Sequence, residues 1–130
     1  ANIKAKGAFT VSFADGAHVV SSDYVGMASA NTEPQKMEKS GFHTTPSTLV
    51  DAPLIDELPV ALECQFLKVN EDGNIIGKIL NVCADESVLD AEGNIDFTKF
   101  QPISFEPAHN TYRVLGDPVG HAFRDGAQLK

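Results

Sequence analysis

Residues Pro59–Glu86, PVALECQFLKVNEDGNIIGKILNVCADE, decide how this chain folds. Val60, Leu62, Cys64 and Phe66 alternate with Ala61, Glu63 and Gln65, the period of a half-buried strand. Asp72-Gly73 separates that run from a second apolar one, and Asp-Gly is a strong hairpin signal because Gly tolerates positive φ. A two-residue type I′ turn there places Phe66 opposite Ile79, Cys64 opposite Asn81 and Leu62 opposite Cys83. The other face then carries Leu67, Val69, Ile76, Leu80 and Val82. A lone hairpin is unstable in water, and one with two apolar faces needs cover on both. One face is expected to line a barrel interior and the other to pack on helices or on a second subunit. An ordinary sandwich hairpin predicts the same core.

Outward from the hairpin, the chain reads as short elements in the order strand, helices, hairpin, loops, strands, helix. Asn2 to Lys6 form a helix tail closed by Gly7, and Ala8 to Phe13 a strand. Asp15 caps a helix over Gly16 to Val25. Thr32 and Gln35 have capping-box spacing before a short helix, PQKMEKS, that Gly41 ends. Phe42 to Leu58 is expected to be irregular, because Pro46 and Pro53 interrupt it. Asp85 and Asp96 cap single turns, and Ile103–Phe105 and Thr111–Leu115 are short strands. Asp117-Pro118 opens a last helix with Val119, Ala122 and Phe123 on one face and Gly126 as its stop. The expected fold class is α+β with mostly antiparallel strands, as one domain over residues 1–130.

The chain has 130 residues, with 18 acidic against 10 basic, for a net charge of −8. That balance argues against nucleic acid and anionic membrane surfaces as partners, since phosphate binding needs clustered Lys and Arg. No apolar run reaches the roughly 18 residues of a membrane span. No signal-peptide pattern opens the chain and no Met begins it, so a processed or truncated product is expected. In the type I′ register the two cysteines, Cys64 and Cys83, lie diagonally on one face, roughly 7–8 Å apart. That is too far for a disulfide, and reduced cysteines in a cytoplasmic protein are expected.

The usual catalytic motifs fail. GNIIGK at Gly73–Lys78 has too few residues between its glycines for a phosphate loop and sits in a hairpin. GDPVG at Gly116–Gly120 lacks the G-x-G that admits a pyrophosphate. No histidine pair has zinc-ligand spacing, and DAEGNID at Asp90–Asp96 lacks the alternating ligands of a calcium loop. His18, His43 and His121 are expected in structural or surface roles. Two stretches keep a binding reading open. His109, Asn110, Thr111 and Tyr112 crowd an imidazole, an amide, a hydroxyl and a phenol just before a strand. Such groups suit the edge of a flat heterocycle, or they only satisfy local backbone. Ser29, Ala30, Asn31 and Thr32 precede a helix, where free N–H groups favour an anion or a plain cap.

Four separated pieces carry a family resemblance: AFTVSFADGAHVVSSDYVG (8–26), VDAPLIDELPVALEC (50–64), ADESVLDAEGNID (84–96) and PAHNTYRVLGDPVGHAFRDG (107–126). Together they resemble the C-terminal part of flavin reductase-like, flavoredoxin-type FMN-binding proteins. The resemblance implies a split β-barrel with a Greek-key core, a homodimer, and FMN held without a covalent bond. It further implies hydride transfer from NADH or NADPH to flavin, or electron relay to a partner protein without free flavin reductase activity. The family's N-terminal barrel strand and phosphate-gripping loop have no counterpart here, because Ala1-Asn2-Ile3-Lys4 matches the helix that follows that loop. In the loop matching Ala28 to Met37, Ser29 and Lys36 match, while Ala30 replaces Gly and Met37 replaces Phe. By resemblance, Ser29, Asn31 and Lys36 border the cofactor or nucleotide. His109, Asn110 and Tyr112 lie near the isoalloxazine or the dimer seam. The Gly-Asp-His that some relatives use for NADH is missing, and the hairpin at Asn70–Asn74 is too short to carry it.

Overall fold

The computed structural model describes residues 2–130. Helix α1 spans Asn2–Lys6, and Gly7 closes it with φ 65°, its N–H donating to the Ile3 carbonyl at 2.9 Å. Strand β1 is Ala8–Ser12. The Asp15 carboxylate accepts from the His18 N–H at 2.9 Å and starts a 3-10 turn, Gly16–His18, that runs into α2, Val19–Met27. Helix α3 is Lys36–Ser40, ended by Gly41 at φ 76°. Then follow β2 (Thr44–Pro46), β3 (Pro53–Ile55), β4 (Val60–Val69), β5 (Ile75–Ala84), β6 (Ile103–Glu106) and β7 (Thr111–Val114).

All strand pairs are antiparallel. The main sheet has the order β1-β4-β5, and β2-β3 and β6-β7 are separate two-stranded pairs. The long hairpin forms over the expected residues with a different register. Leu62 pairs with Val82, Cys64 with Ile79 and Phe66 with Gly77. The turn is the reason. Asn70 pairs with Asn74 around a three-residue loop, Glu71-Asp72-Gly73, in which the Gly73 N–H reaches the Asn70 carbonyl at 3.1 Å and Gly73 has φ 83°. A tight turn followed by a left-handed glycine adds a residue to the loop and moves every pairing. A bulge between Phe66 and Lys68 shifts it by one more residue, and a second between Glu63 and Cys64 shifts it back. The cysteines therefore do not share a face. Cys83 touches Glu63, while Cys64, next along β4, points the other way. Both thiols are free.

Gly77 has a packing role. A Cβ there would sit 2.5 Å from the Phe9 ring, so the missing side chain lets β1's aromatic lie across β4 onto β5.

The core sits at the start of β4. Val60, Val88 and Phe100 are buried together, with Ala84 and Ile95 packed on them. The segment after β5 reaches this cluster through aspartate-capped turns. Asp85 accepts from the Ser87 N–H, Asp90 from the Glu92 and Asn94 N–H groups, and Asp96 from the Thr98 N–H. Buried residues cover both faces of β4 at Val60, Ala61, Glu63 and Cys64, whereas Leu67, Ile79, Leu80 and Val82 remain exposed.

Three local expectations are corrected. Phe42 to Leu58 is not wholly irregular, because β2 and β3 pair with Pro46 opposite Pro53, both at the end of the ladder where a missing N–H costs least. The capping box at Thr32 does not form. The Thr32 hydroxyl donates to the Ser29 carbonyl instead, and α3 starts at Lys36 with no side-chain cap. No helix begins at Asp117-Pro118. Val119 and Phe123 are fully exposed, Phe123 has φ 62°, and a 3-10 turn, Asp125–Leu129, follows. With nothing to pack its apolar face against, a helix this short does not hold. Asp125 instead accepts from the His121 N–H at 2.7 Å.

Candidate functional site

The β6–β7 hairpin is organised by Glu106. One of its carboxylate oxygens accepts from the Ala108 N–H at 2.6 Å. The other meets His109 Nδ1 at 3.0 Å and accepts from the Thr111 hydroxyl at 3.1 Å. These bonds hold the Glu106 carboxyl below its ordinary range, that of His109 foremost. The loop turns through Asn110 at φ 53°, a left-handed conformation that asparagine tolerates better than most residues. His109 therefore has one nitrogen committed to Glu106, while its ring and the Asn110 side chain stand exposed at the loop tip.

Tyr112 faces a different neighbour. Its hydroxyl donates to the Asp23 carboxylate of α2 at 2.6 Å, and its ring leans on Phe105 with centroids 5.9 Å apart. The hydrogen bond to Asp23 raises the Tyr112 phenol and keeps it protonated. Tyr112, Val19, Val20, Asp23, Tyr24 and Met27 line a shallow cavity of about 290 Å³. The hydroxyl is thus occupied, and what Tyr112 offers a ligand is its ring.

Ser29 and Asn31 lie in the turn that leaves α2. The Ser29 hydroxyl accepts from the Asn31 N–H at 3.3 Å, and the Ser29 carbonyl accepts from the Thr32 and Glu33 N–H groups. Lys36 is the first residue of α3, where Glu33 pairs with Lys39 at 2.9 Å and leaves Lys36 aside. The six predicted residues thus form two groups. Among the described residues no hydrogen bond joins Ser29, Asn31 or Lys36 to His109, Asn110 or Tyr112. Helix α2 connects them, since Tyr112 grips it at Asp23 and the Ser29 turn follows its last residue, Met27.

A larger cavity, of about 580 Å³, opens between the α1–β1 corner and the β2–β3 loop. Ile3, Phe9, Val50 and Pro53 line it, and a Lys6–Asp51 ion pair of 2.8 Å sits on its wall. No helix of the described residues is long and apolar enough to cross a membrane.

The comparisons with known proteins agree on one fold. Over 95% of this chain and 67% of its own, the flavoredoxin of Desulfovibrio vulgaris (Miyazaki F) is 35% identical, with a TM-score of 0.89. The chain belongs to the flavoredoxin family. A flavoredoxin from Methanosarcina acetivorans is 30% identical, covering 98% of this chain and 68% of its own at a TM-score of 0.84. A flavin reductase-like protein of Shewanella frigidimarina with a split barrel domain, 18% identical, covers 92% of this chain and 62% of its own at a TM-score of 0.69. That likeness concerns the fold alone, and it makes the three antiparallel sheets part of a split barrel. An uncharacterized protein of Aquifex aeolicus is 32% identical over 74 residues, which is 55% of this chain and 38% of that protein. The chain thus spans about two thirds of each flavoredoxin, and the match covers well under half of the Aquifex protein. No family model matches the chain.

Reading the sequence missed two residues that anchor this candidate site. Glu106 carried a signal, because an acid three residues before His109 and followed by Pro marks a turn whose N–H groups need an acceptor. Asp23 carried none, since it lies 89 residues from Tyr112 along the chain.

Proposed function

We propose that this chain carries the flavin site of an FMN-dependent oxidoreductase that takes electrons from NADH or NADPH and passes them to flavin. The observation that carries this reading is the likeness to the Desulfovibrio flavoredoxin along nearly the whole chain. The residues present fit the ring of the group. His109 and Asn110 offer exposed polar edges at a loop tip, and the Phe105–Tyr112 pair beside them offers an aromatic face. A flat ring with donors and acceptors on its rim suits both. When bound, FMN supplies the redox chemistry, so the chain needs no nucleophile or acid–base pair of its own. Its residues have to orient the ring and shield it. Glu106 holds His109 in place, and Asp23 holds Tyr112. Ser29, Asn31 and Lys36 are proposed to border the cofactor or the nicotinamide nucleotide from the turn after α2. A homodimer is proposed as well, because the apolar side chains of β5, an edge strand, lie open at Ile75, Ile79, Leu80 and Val82.

The second reading is a flavoredoxin-like electron carrier without free flavin reductase activity. The absence of a Gly-Asp-His in the short Asn70–Asn74 hairpin favours it. Anaerobic addition of NADH or NADPH to the FMN-loaded protein separates the two. Rapid bleaching near 450 nm, about where oxidised flavin absorbs, supports the reductase. Bleaching only by a reduced protein partner or dithionite supports the carrier.

Replacing His109 and Asn110 together by Ala is expected to weaken FMN binding about tenfold, since each hydrogen bond contributes about 0.5–1.5 kcal/mol. A fluorescence titration measures this. An unchanged dissociation constant removes both residues from the site.

A further inference from the structure

Glu63 is the most deeply buried charged side chain among the described residues, 3% exposed at the middle of β4. One of its oxygens accepts from the Ser47 hydroxyl in the β2–β3 loop. The other accepts from the Asn81 amide at 2.8 Å and from the Cys83 thiol at 3.1 Å, both on β5. Asn81 also approaches the Cys83 sulfur at 3.4 Å. Thr10 pairs with Glu63 from β1 and brings no charge. On its other side Cys83 lines a cavity of about 240 Å³. The charged groups of that cavity are Asp56, just after β3, and Asp85, just after β5, and no Lys, Arg or His lines it. Cys83 is therefore in hydrogen-bond contact with one carboxylate, and the cavity beside it brings no cation.

Reactive cysteines need the reverse surroundings. A thiolate is stabilised by cations, helix N-termini or metals. At Cys83 ionisation would replace an S–H···O bond by a sulfur anion 3.1 Å from a carboxylate. That hydrogen bond to Glu63, then burial, pushes the thiol above its ordinary range, while Asn81 pulls weakly the other way. Ser47, Asn81 and Cys83 in turn hold the Glu63 carboxyl below its ordinary range, so the charge that suppresses the thiolate persists at neutral pH.

We propose that Glu63 holds Cys83 as a protonated thiol that resists electrophiles although an open cavity reaches it. The inference is independent of the flavin reading. It makes the Glu63 carboxylate a guard for Cys83, and neutralising that carboxylate unmasks the thiol.

Iodoacetamide, a small neutral probe, tests this on the full chain. The thiolate sulfur displaces iodide from its carbon, forming the S–C bond, and the thiol proton passes to solvent. Labelling of Cys83 and of buried Cys64 is followed separately by peptide mass spectrometry across pH. In the wild type Cys83 is expected to label with a midpoint above that of a free thiol. Glu63→Gln is expected to lower that midpoint and to speed Cys83 labelling about tenfold at about pH 8, a tenfold change matching about one pKa unit. Cys64, on the other face, is expected to keep its slow rate and serves as the reporter of unfolding. A wild-type midpoint at or below that of a free thiol overturns the proposal. So does a Glu63→Gln variant with Cys64 still protected and Cys83 unchanged. If Glu63→Gln opens the fold and both cysteines label, the milder Glu63→Asp, which keeps a carboxylate but withdraws it from Cys83 by one methylene, decides. Faster Cys83 with slow Cys64 then supports the guard, and an unchanged Cys83 overturns it.

Discussion

Glu63→Ala is expected to destabilise the protein by about 2–4 kcal/mol, from a lost network and the cavity left behind. Ser47 loses its acceptor, and with it the tie between the β2–β3 loop and the main sheet. The Ser47 hydroxyl already accepts from the Leu49 and Val50 N–H groups at 3.0 Å each, so the loop is folded around this one oxygen. Asn81 is exposed and turns to water, which limits the loss. The pH dependence has a definite sign. Hydrogen bonds from Ser47, Asn81 and Cys83 depress the carboxyl of Glu63 in the folded state. Its contribution is therefore complete above the unfolded value, about 4.5, and is lost as pH falls below that toward the depressed one. Other carboxylates, among them Asp85 and Asp96, are depressed as well. The wild-type curve alone thus cannot assign the effect to one group. Urea unfolding of wild type and Glu63→Gln at about pH 7 and about pH 4 isolates it: the gap between them is expected to shrink at the lower pH. A gap that is constant, or that widens in acid, contradicts the assignment.

Phe100→Ala is expected to cost about 3–5 kcal/mol, the usual range for removing a buried aromatic. Phe100 is 4% exposed and packs with Val60 and Val88. That cluster is where the segment after β5, built from single capped turns, is pinned to β4. Without the ring, the turns around Asp90 and Asp96 keep their hydrogen bonds, such as Lys99 Nζ to the Leu89 carbonyl at 2.7 Å, but lose the largest side chain of their packed cluster. A fall in the urea midpoint, together with faster amide exchange across residues 86–100, is the expected result. A loss under about 1 kcal/mol, on the same scale of buried aromatic truncation, would mean that the segment is held elsewhere.

Much of the fold was legible because it rests on local chemistry. The Asp72-Gly73 turn, the alternation from Val60 to Phe66, the aspartate caps at 15, 85 and 96 and the stop at Gly41 each act over a few residues. The register was not legible. A two-residue and a three-residue loop are both compatible with Asp-Gly, and the choice between them moved Cys83 from the face of Cys64 to that of Glu63. The helix expected at Asp117-Pro118 failed for the opposite reason. Its cap and pattern are present, but helical stability comes from burial, and Val119 and Phe123 have nothing to be buried against. At the candidate site, the polar cluster from His109 to Tyr112 was visible as a cluster. Its two anchors differ in kind. Glu106 is a neighbour in sequence, whereas Asp23 meets Tyr112 only after the β6–β7 hairpin has docked on α2. The Ser47–Glu63–Cys83 contacts are likewise products of the tertiary fold, since they join a loop and two strands that share no sequence signal.

On the proposed reading, the flavoredoxin fold holds FMN at the rim marked by His109, Asn110 and Tyr112. Equilibrium titration of the folded protein with FMN, read by quenching of the flavin's own fluorescence, tests it most directly. Saturable binding of one FMN per chain is expected, weakened in the His109→Ala, Asn110→Ala double variant. No binding by protein whose circular dichroism and Cys64 protection show it folded would contradict it.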